Sequence, residues 1–504
     1  MCGIFCAVCN HQPLWPSSQC LQLLQNRGPD YQSTRHVALN NNSHLTLVST
    51  VLSLRGNETV SQPLRNDQRT LCWNGEAWSI DNSLVRENDT EVVFNLLKQV
   101  ESPTHFAALM ASISGPYAFI YHEGVNNLLY FGRDPLGRRS LMISRTSEGG
   151  AALCSISDPM LPDWKEVDAD GIYCLSLGDA SLEPHRIPYQ HHPVSLNKSL
   201  SSGSFQLSPN SAPVICLEEI LRSSLQPRVA TPSVAPRLAI LFSGGLDCTL
   251  IARICHDLVL SNEPIDLLNV AFENPYVKSR YETCPDRITG QASLEELKQV
   301  CLGRKWNFVA IDVPYSETLQ HRPTIIQLMR PHNTEMDLSI ACALYFASRG
   351  IGNVEDGKQY STPARVLLSG LGADELFGGY QRHATAYRYH GTVGLLDELE
   401  LDFSRLGKRN LGRDDRVLSH WGKEVRFPFL DEELVSWSLK EPVAHKCGFG
   451  EQESCGMLTP DKKVLRCLAW KLGMRKVASE KKRAIQFGAR TAKMEGKVKG
   501  TQSI

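Results

Sequence analysis

Ile240-Leu241-Phe242-Ser243-Gly244-Gly245-Leu246-Asp247-Cys248 is the stretch that decides the fold. Leu238 to Phe242 is an apolar run of buried-strand length, and Leu250, Ile251, Ile254 and Leu258 follow at helical spacing. Between strand and helix, two adjacent glycines let backbone N–H groups converge on an oxyanion, and the helix N-terminus adds partial positive charge. The loop is neither a Walker A loop nor a GxGxxG turn, because it has no GK[ST] and no six-residue glycine spacing. Working outward, Leu267 to Phe272, Phe308 to Val313 and Val366 to Leu368 read as strands, with helices over Leu294 to Leu302 and Asp337 to Ala347. That alternation predicts a parallel sheet covered on both faces. From Leu395 onward the pattern is mostly helical.

Residues 2–178 have a different texture, short β-rich segments separated by turns. Leu45 to Leu54, Thr70 to Trp73, Tyr117 to His122 and Leu128 to Gly132 are expected strands, and Asp89 to Val100 an expected helix. Residues 179–213 read as a Ser/Pro-rich connector, with seven serines between Ser195 and Ser211. A second domain is expected over residues 214–504. The total of 504 residues fits two or three domains, and 53 basic against 54 acidic residues leave a net charge of −1. A chain so balanced has no whole-molecule field for nucleic acid or membrane. The segment 461–504 carries 13 Lys+Arg against 3 Asp+Glu, which reads as a solvated, phosphate-facing surface rather than a nucleic-acid site, with no interleaved aromatics to stack on bases.

The sixteen cysteines form no pair of CxxC motifs; Cys6 and Cys9 read CAVC within an apolar run and are read as structural. The start Met1-Cys2-Gly3-Ile4-Phe5 lacks a signal-peptide pattern, and no apolar run reaches membrane-span length. A cytoplasmic protein with reduced thiols is therefore expected. Cys2 stands apart by position. Once Met1 is removed, its thiol lies beside a free α-amine that can take its proton.

Four further motifs follow in order: Asn26-Arg27-Gly28-Pro29-Asp30, Gln62-Pro63-Leu64, Trp73-Asn74-Gly75-Glu76 and Gly132-Arg133-Asp134-Pro135-Leu136-Gly137. With the MCGI start they resemble the class II, N-terminal-nucleophile glutamine amidotransferases. An Asn side chain and the next Gly N–H can form an oxyanion hole. The resemblance gives that role to Asn74 and Gly75 beside the nucleophile Cys2, and gives recognition of the glutamine α-amine to Glu76 and Asp89. Downstream, SGGLDC resembles the pyrophosphate loop of ATP pyrophosphatases. Leu368-Ser369-Gly370-Leu371-Gly372-Ala373-Asp374-Glu375-Leu376-Phe377-Gly378-Gly379-Tyr380 resembles the signature of asparagine synthetases. Arg426-Phe427-Pro428-Phe429-Leu430-Asp431 fits that family as a packing and interface element. The segment Lys481 to Gly488 fits its late lysine region, with Lys482 as the candidate after a two-residue shift, since an ungapped alignment puts Ala484 there.

The resemblance implies an N-terminal αββα amidotransferase sandwich followed by a parallel-sheet synthetase domain of ATP-pyrophosphatase type. It implies ATP bound by Ser243, Gly244, Gly245, Asp247, Ser369, Gly370 and Lys482, and Mg²⁺ on Asp247 and Asp374. The implied reaction amidates aspartate, or another carboxylate acceptor, with ammonia from glutamine, giving AMP and pyrophosphate. Three departures stand out. Val51 occupies the place of the family's carboxylate-binding Arg; either Arg55, four residues on, replaces it, or glutamine hydrolysis is lost. Cys248 replaces a Ser of the phosphate loop, and Leu371 replaces an acceptor-side Glu. They set the chain with a divergent relative of the housekeeping enzyme, leaving open a different acceptor or a pseudoenzyme.

Overall fold

The computed structural model describes every residue except 40–41, 57, 147–148, 179–181, 190–194, 200–204, 230–237, 278–279, 451–457, 493 and 495–499. Parts of the predicted connector and of the basic segment 461–504 thus lie outside the described residues.

The N-terminal half stacks two six-stranded antiparallel sheets. The first runs in the order 165–166, 142–145, 151–154, 3–10, 43–51, 31–38, and the second 185–188, 171–176, 128–133, 117–123, 69–75, 64–65. Period-two alternation buries Ile4, Cys6 and Val8 of the first sheet against Cys72, Ala118 and Ile120 of the second. The opposite faces carry helices. Asp89–Leu97 and Pro103–Ala111 cover the second sheet through Val93, Phe94 and Phe106, and Ser18–Arg27 covers the first through Cys20 and Leu24. Helix, sheet, sheet and helix form the expected αββα sandwich. Strand His185–Pro188 extends the second sheet beyond Gly178, into the stretch read as connector. Leu196 and Leu207 of that stretch are buried in the synthetase-side core.

The second half is built on a seven-stranded sheet ordered 359–361, 351–353, 306–313, 265–272, 238–241, 366–368, 424–426. The five strands from 306–313 to 424–426 are parallel, and the apolar runs Ile265–Phe272 and Val366–Leu368 among them are buried along their whole length. The expectation of a purely parallel sheet needs one correction: strands 351–353 and 359–361 are an antiparallel hairpin on one edge. Three-residue strands with exposed ends bury too little to show an apolar pattern, so the sequence hides them. Strands Leu238–Leu241 and Val366–Leu368 are adjacent and parallel, so the loops after them leave the same edge side by side. That is where open α/β sheets place ligands.

Buried ion pairs join the halves. Arg27 meets Asp415 (2.8 Å), Arg139 meets Asp415 and Glu424 (both 3.5 Å), and Arg416 bonds Glu166. These arginines are fully buried.

Candidate active sites

Strand Gly3–Asn10 lies between strands 43–51 and 151–154 and delivers Cys2 from its N-terminal end. The Gly3 N–H donates to Thr50 Oγ1 (3.1 Å) and Arg27 Nε donates to the Cys2 carbonyl (3.2 Å), fixing the backbone on both sides. Strand Arg69–Gly75 of the facing sheet ends on Asn74 and Gly75. Gln62 spans the two: its Oε1 accepts from the Trp73 N–H (2.7 Å), and its Nε2 stands 3.9 Å from Cys2 Sγ. A small cavity of about 30 Å³ results, lined among others by Cys2, Gly75, Glu76 and Asp89. Asn74 does not line it, but its side chain is fully buried and neither amide atom has a hydrogen-bond partner among the described residues. Glycine is required at 75, where a Cβ would stand 2.5 Å from the Pro116 carbonyl oxygen.

Asn88 caps helix Asp89–Leu97, accepting from the Thr90 N–H (3.1 Å), and so aims Asp89 inward from the first turn. Asp89 Oδ2 accepts from Trp73 Nε1 (3.0 Å) and the Ala77 N–H (2.9 Å); burial still pushes its carboxyl up, against the pull of Arg55. Glu76 is pushed up to about 7 by burial and by Glu424, with Arg426 and Arg55 opposing. Arg55 Nε lies 2.8 Å from Glu76 Oε2, and Arg426 from the second half 3.3 Å from Oε1. Arg55 does enter the pocket near Val51, but its guanidinium is spent on Glu76 and on the Ala77 carbonyl (3.0 Å). Met1 is buried here too. Burial lowers its amine to about 5, despite Glu424, and burial raises the Cys2 thiol against the field of that amine.

In the second half, Ser243 to Gly245 turn from strand 238–241 into helix Leu246–Leu258. Gly244 has φ +81, and a Cβ there would lie 2.4 Å from the Gly290 backbone N. Both facts demand glycine. Ser369 and Gly370 come from the neighbouring loop, and a Cβ on Gly370 would press within 2.9 Å of Asp247 Cβ. A cavity of about 420 Å³ contains Ser243, Gly245, Asp247, Ser369, Gly370 and Asp374 in its wall. Lys482 lines it as well and bonds Asp374, so the shifted lysine does reach the loop; Ala484 also lines it. Cys248 turns its thiol onto its own loop, 3.3 Å from the Gly245 carbonyl and 3.7 Å from Ser243 Oγ, and burial raises it. Leu371 is half-buried against the core.

Sequence reasoning missed Lys462. Its buried Nζ lies 2.9 and 2.7 Å from the two Asp247 oxygens and 2.9 Å from Asp374 Oδ1. The two carboxylates hold its proton firmly, and the lysines in turn keep Asp374 far below the usual carboxylate range despite its burial. A signal was present. Lys462 and Lys463 open a helix, where positive charge opposes the macrodipole, so another partner must hold them. Arg426 was read as interface packing, yet it reaches the first pocket. Its backbone carbonyl accepts from the Ser369 N–H (3.0 Å), so one strand touches both sites.

A glutamine amidotransferase domain model matches residues 1–192, and an asparagine synthase model matches 218–397 and 390–501. Asparagine synthetase domain-containing protein 1 of Homo sapiens is 33% identical over 98% of this chain and 96% of its own; that of Bos taurus is 32% identical with the same coverage. An asparagine synthetase domain-containing protein of Saccharomyces cerevisiae is 34% identical over 95% of this chain and 89% of its own. The chain belongs to this family. The resemblance drawn from MCGI, SGGLDC and LSGLGADELFGGY holds over nearly the whole length of the family's members. Among the described residues, no helix is long and apolar enough to cross a membrane.

Proposed function

We propose that this protein is a glutamine-hydrolysing, ATP-dependent amide synthetase. Cys2, freed of Met1, attacks the glutamine amide carbon and its proton passes to the α-amine. The oxyanion that develops is received by the Gly75 N–H and the unbonded Asn74 amide. Ammonia leaves and water releases glutamate. In the larger cavity the acceptor's carboxylate oxygen attacks the α-phosphorus of ATP. The bond to the bridging oxygen of the β-phosphate breaks, and pyrophosphate leaves toward Lys462 and Lys482. Ammonia adds to the acyl carbon, AMP departs, and the new amide nitrogen gives up a proton. With aspartate as acceptor the product is asparagine.

Mg²⁺ fits this site: carboxylate oxygens of Asp247 and Asp374 already converge on one ammonium, and these two residues would hold the ion with ATP oxygens. Bound there, it would neutralise charge on the leaving pyrophosphate.

The observation that supports the reading most is strand Glu424–Arg426, which bonds Glu76 of one site through a side chain and Ser369 of the other through its backbone. A second reading, a synthetase fed by free ammonia with an idle first site, is favoured by the Arg55–Glu76 ion pair closing a cavity of only about 30 Å³. Glutamate release from glutamine, lost in Cys2→Ala, supports the first reading. Pyrophosphate release that ammonium chloride sustains and glutamine does not supports the second. Absence of ATP-dependent pyrophosphate release with either nitrogen source overturns both.

A further inference from the structure

The charges around the larger cavity restrict the acceptor, taking the site as the synthetase site just proposed. Seven carboxylates line it. Asp247 and Asp374 are held by Lys462 and Lys482. Asp337 and Asp414 share Arg413, at 2.6 and 2.8 Å. Asp402 is paired with Arg382 (2.5 Å) and accepts from His383 Nε2 (2.8 Å). Asp286 faces Arg483 at 3.8 Å. Glu375 takes hydrogen bonds from Tyr380 Oη (2.7 Å) and Asn410 Nδ2 (3.1 Å), and its carboxyl is pushed up by burial and by Asp374. Among the described residues, six of the seven thus face a cation within 3.8 Å and the seventh, Glu375, already takes two hydrogen bonds, so none stands unpartnered before a substrate ammonium group. Leu371, also in the wall, offers only an isobutyl group.

The cations do not balance in the same way. Arg382, Arg413, Lys482 and Arg483 are matched, but Arg405 and Arg409 line the cavity without a carboxylate partner among the described residues. Both are open to solvent: Arg405 stands in the last turn of helix Gln381–Leu406, and Arg409 on the segment that joins it to helix Gly412–Ser419. That segment, Gly407–Leu411, is a π-helical turn, a costly local geometry that recurs at functional sites. Asn410 ties the turn to Glu375 of the nucleotide loop. Two guanidinium groups, with donors arranged to fork onto planar or tetrahedral oxyanions, thus sit at the mouth of a cavity whose inner end is built for phosphates.

We propose that the acceptor is a carboxylic acid bearing a second anionic group, carboxylate or phosphate, and no ammonium, and that Arg405 and Arg409 receive that second group. The attacking carboxylate then points inward to ATP while the second anion stays at the mouth.

Pyrophosphate release by the full-length protein tests this, with ATP, Mg²⁺ and ammonium chloride supplied so that the Cys2 site is bypassed. The probes are aspartate, butyrate, 3-phosphonopropionate and the linear dicarboxylates from succinate to adipate. Expected is a kcat/KM for at least one dicarboxylate or for 3-phosphonopropionate that exceeds those of aspartate and butyrate tenfold or more; which of them responds identifies the anion. Arg405→Gln and Arg409→Gln should each raise KM for that acid about tenfold and leave KM for ATP within twofold. Preference for aspartate or butyrate, or unchanged KM in both variants, overturns the proposal and leaves the synthetase reading intact. If no acid supports pyrophosphate release while ATP still binds, the synthetase reading fails and the proposal falls with it.

Discussion

Among the described residues, Asn74 keeps a whole carboxamide buried with neither end bonded, a state that costs about 1–3 kcal/mol per unsatisfied group. On the proposed glutaminase reading, that side chain is prepared for a charge that exists only during reaction. Asn74→Ala should therefore lower glutaminase kcat by about 10²–10³-fold with a much smaller change in KM, measured by glutamate release. Asp286 raises a different matter. Burial lifts its carboxyl from 3.8 to about 7, against the pull of Arg483 and Lys482. Between those values the folded chain keeps a proton that the unfolded chain has released, so this group's contribution to stability falls as pH rises from about 4 to 7. Asp286→Asn removes that penalty. Urea midpoints at pH 5 and pH 8 should lie closer together in the variant than in the native protein.

At the scale of elements, the loop Ser243 to Gly245 is tightly constrained. Gly244→Ala must fit a Cβ within 2.4 Å of the Gly290 backbone while holding a positive φ, so the loop has to move. Calorimetry should show ATP binding lost while the circular dichroism of the chain is retained. The helix bearing Asp89 is held by its Asn88 cap; Asn88→Ala should cost about 1 kcal/mol of stability and raise KM for glutamine. These elements were legible in advance because each follows from a local rule. Strand 366–368 matches its predicted bounds, and 238–241 and helix 89–97 lie within a few residues of theirs, since a buried run or a cap needs no distant partner. The edge hairpin 351–361 was not legible, its strands being too short to carry a period. Nor was the bond from Arg426 to Glu76, because no local pattern records a contact between residues 350 positions apart. Arg55 shows the boundary between the two: its arrival in the pocket could be counted along the chain, but its capture by Glu76 could not.

Over the whole molecule, the two halves are joined by buried arginines rather than by an apolar patch alone. Arg27→Ala would leave Asp415 with the Ser140 N–H (3.1 Å) and, as its remaining cation, the more distant Arg139 (3.5 Å), and should destabilise the protein by about 3–5 kcal/mol, read as a lowered urea midpoint. Replacing the pair together, Arg27→Met with Asp415→Leu, should recover much of that loss, because no charge is then stranded. Arg27, Arg139 and Arg416 are at or near zero exposure, and ions in solution can weaken an attraction only where water carries them between the charges. Concentrated sodium chloride, which dissolves many charged interfaces, should therefore leave these halves together. A moderate loss of activity in brine would then be traceable to the open mouth of the larger cavity, where guanidinium groups meet solvent, and not to a parting of the domains.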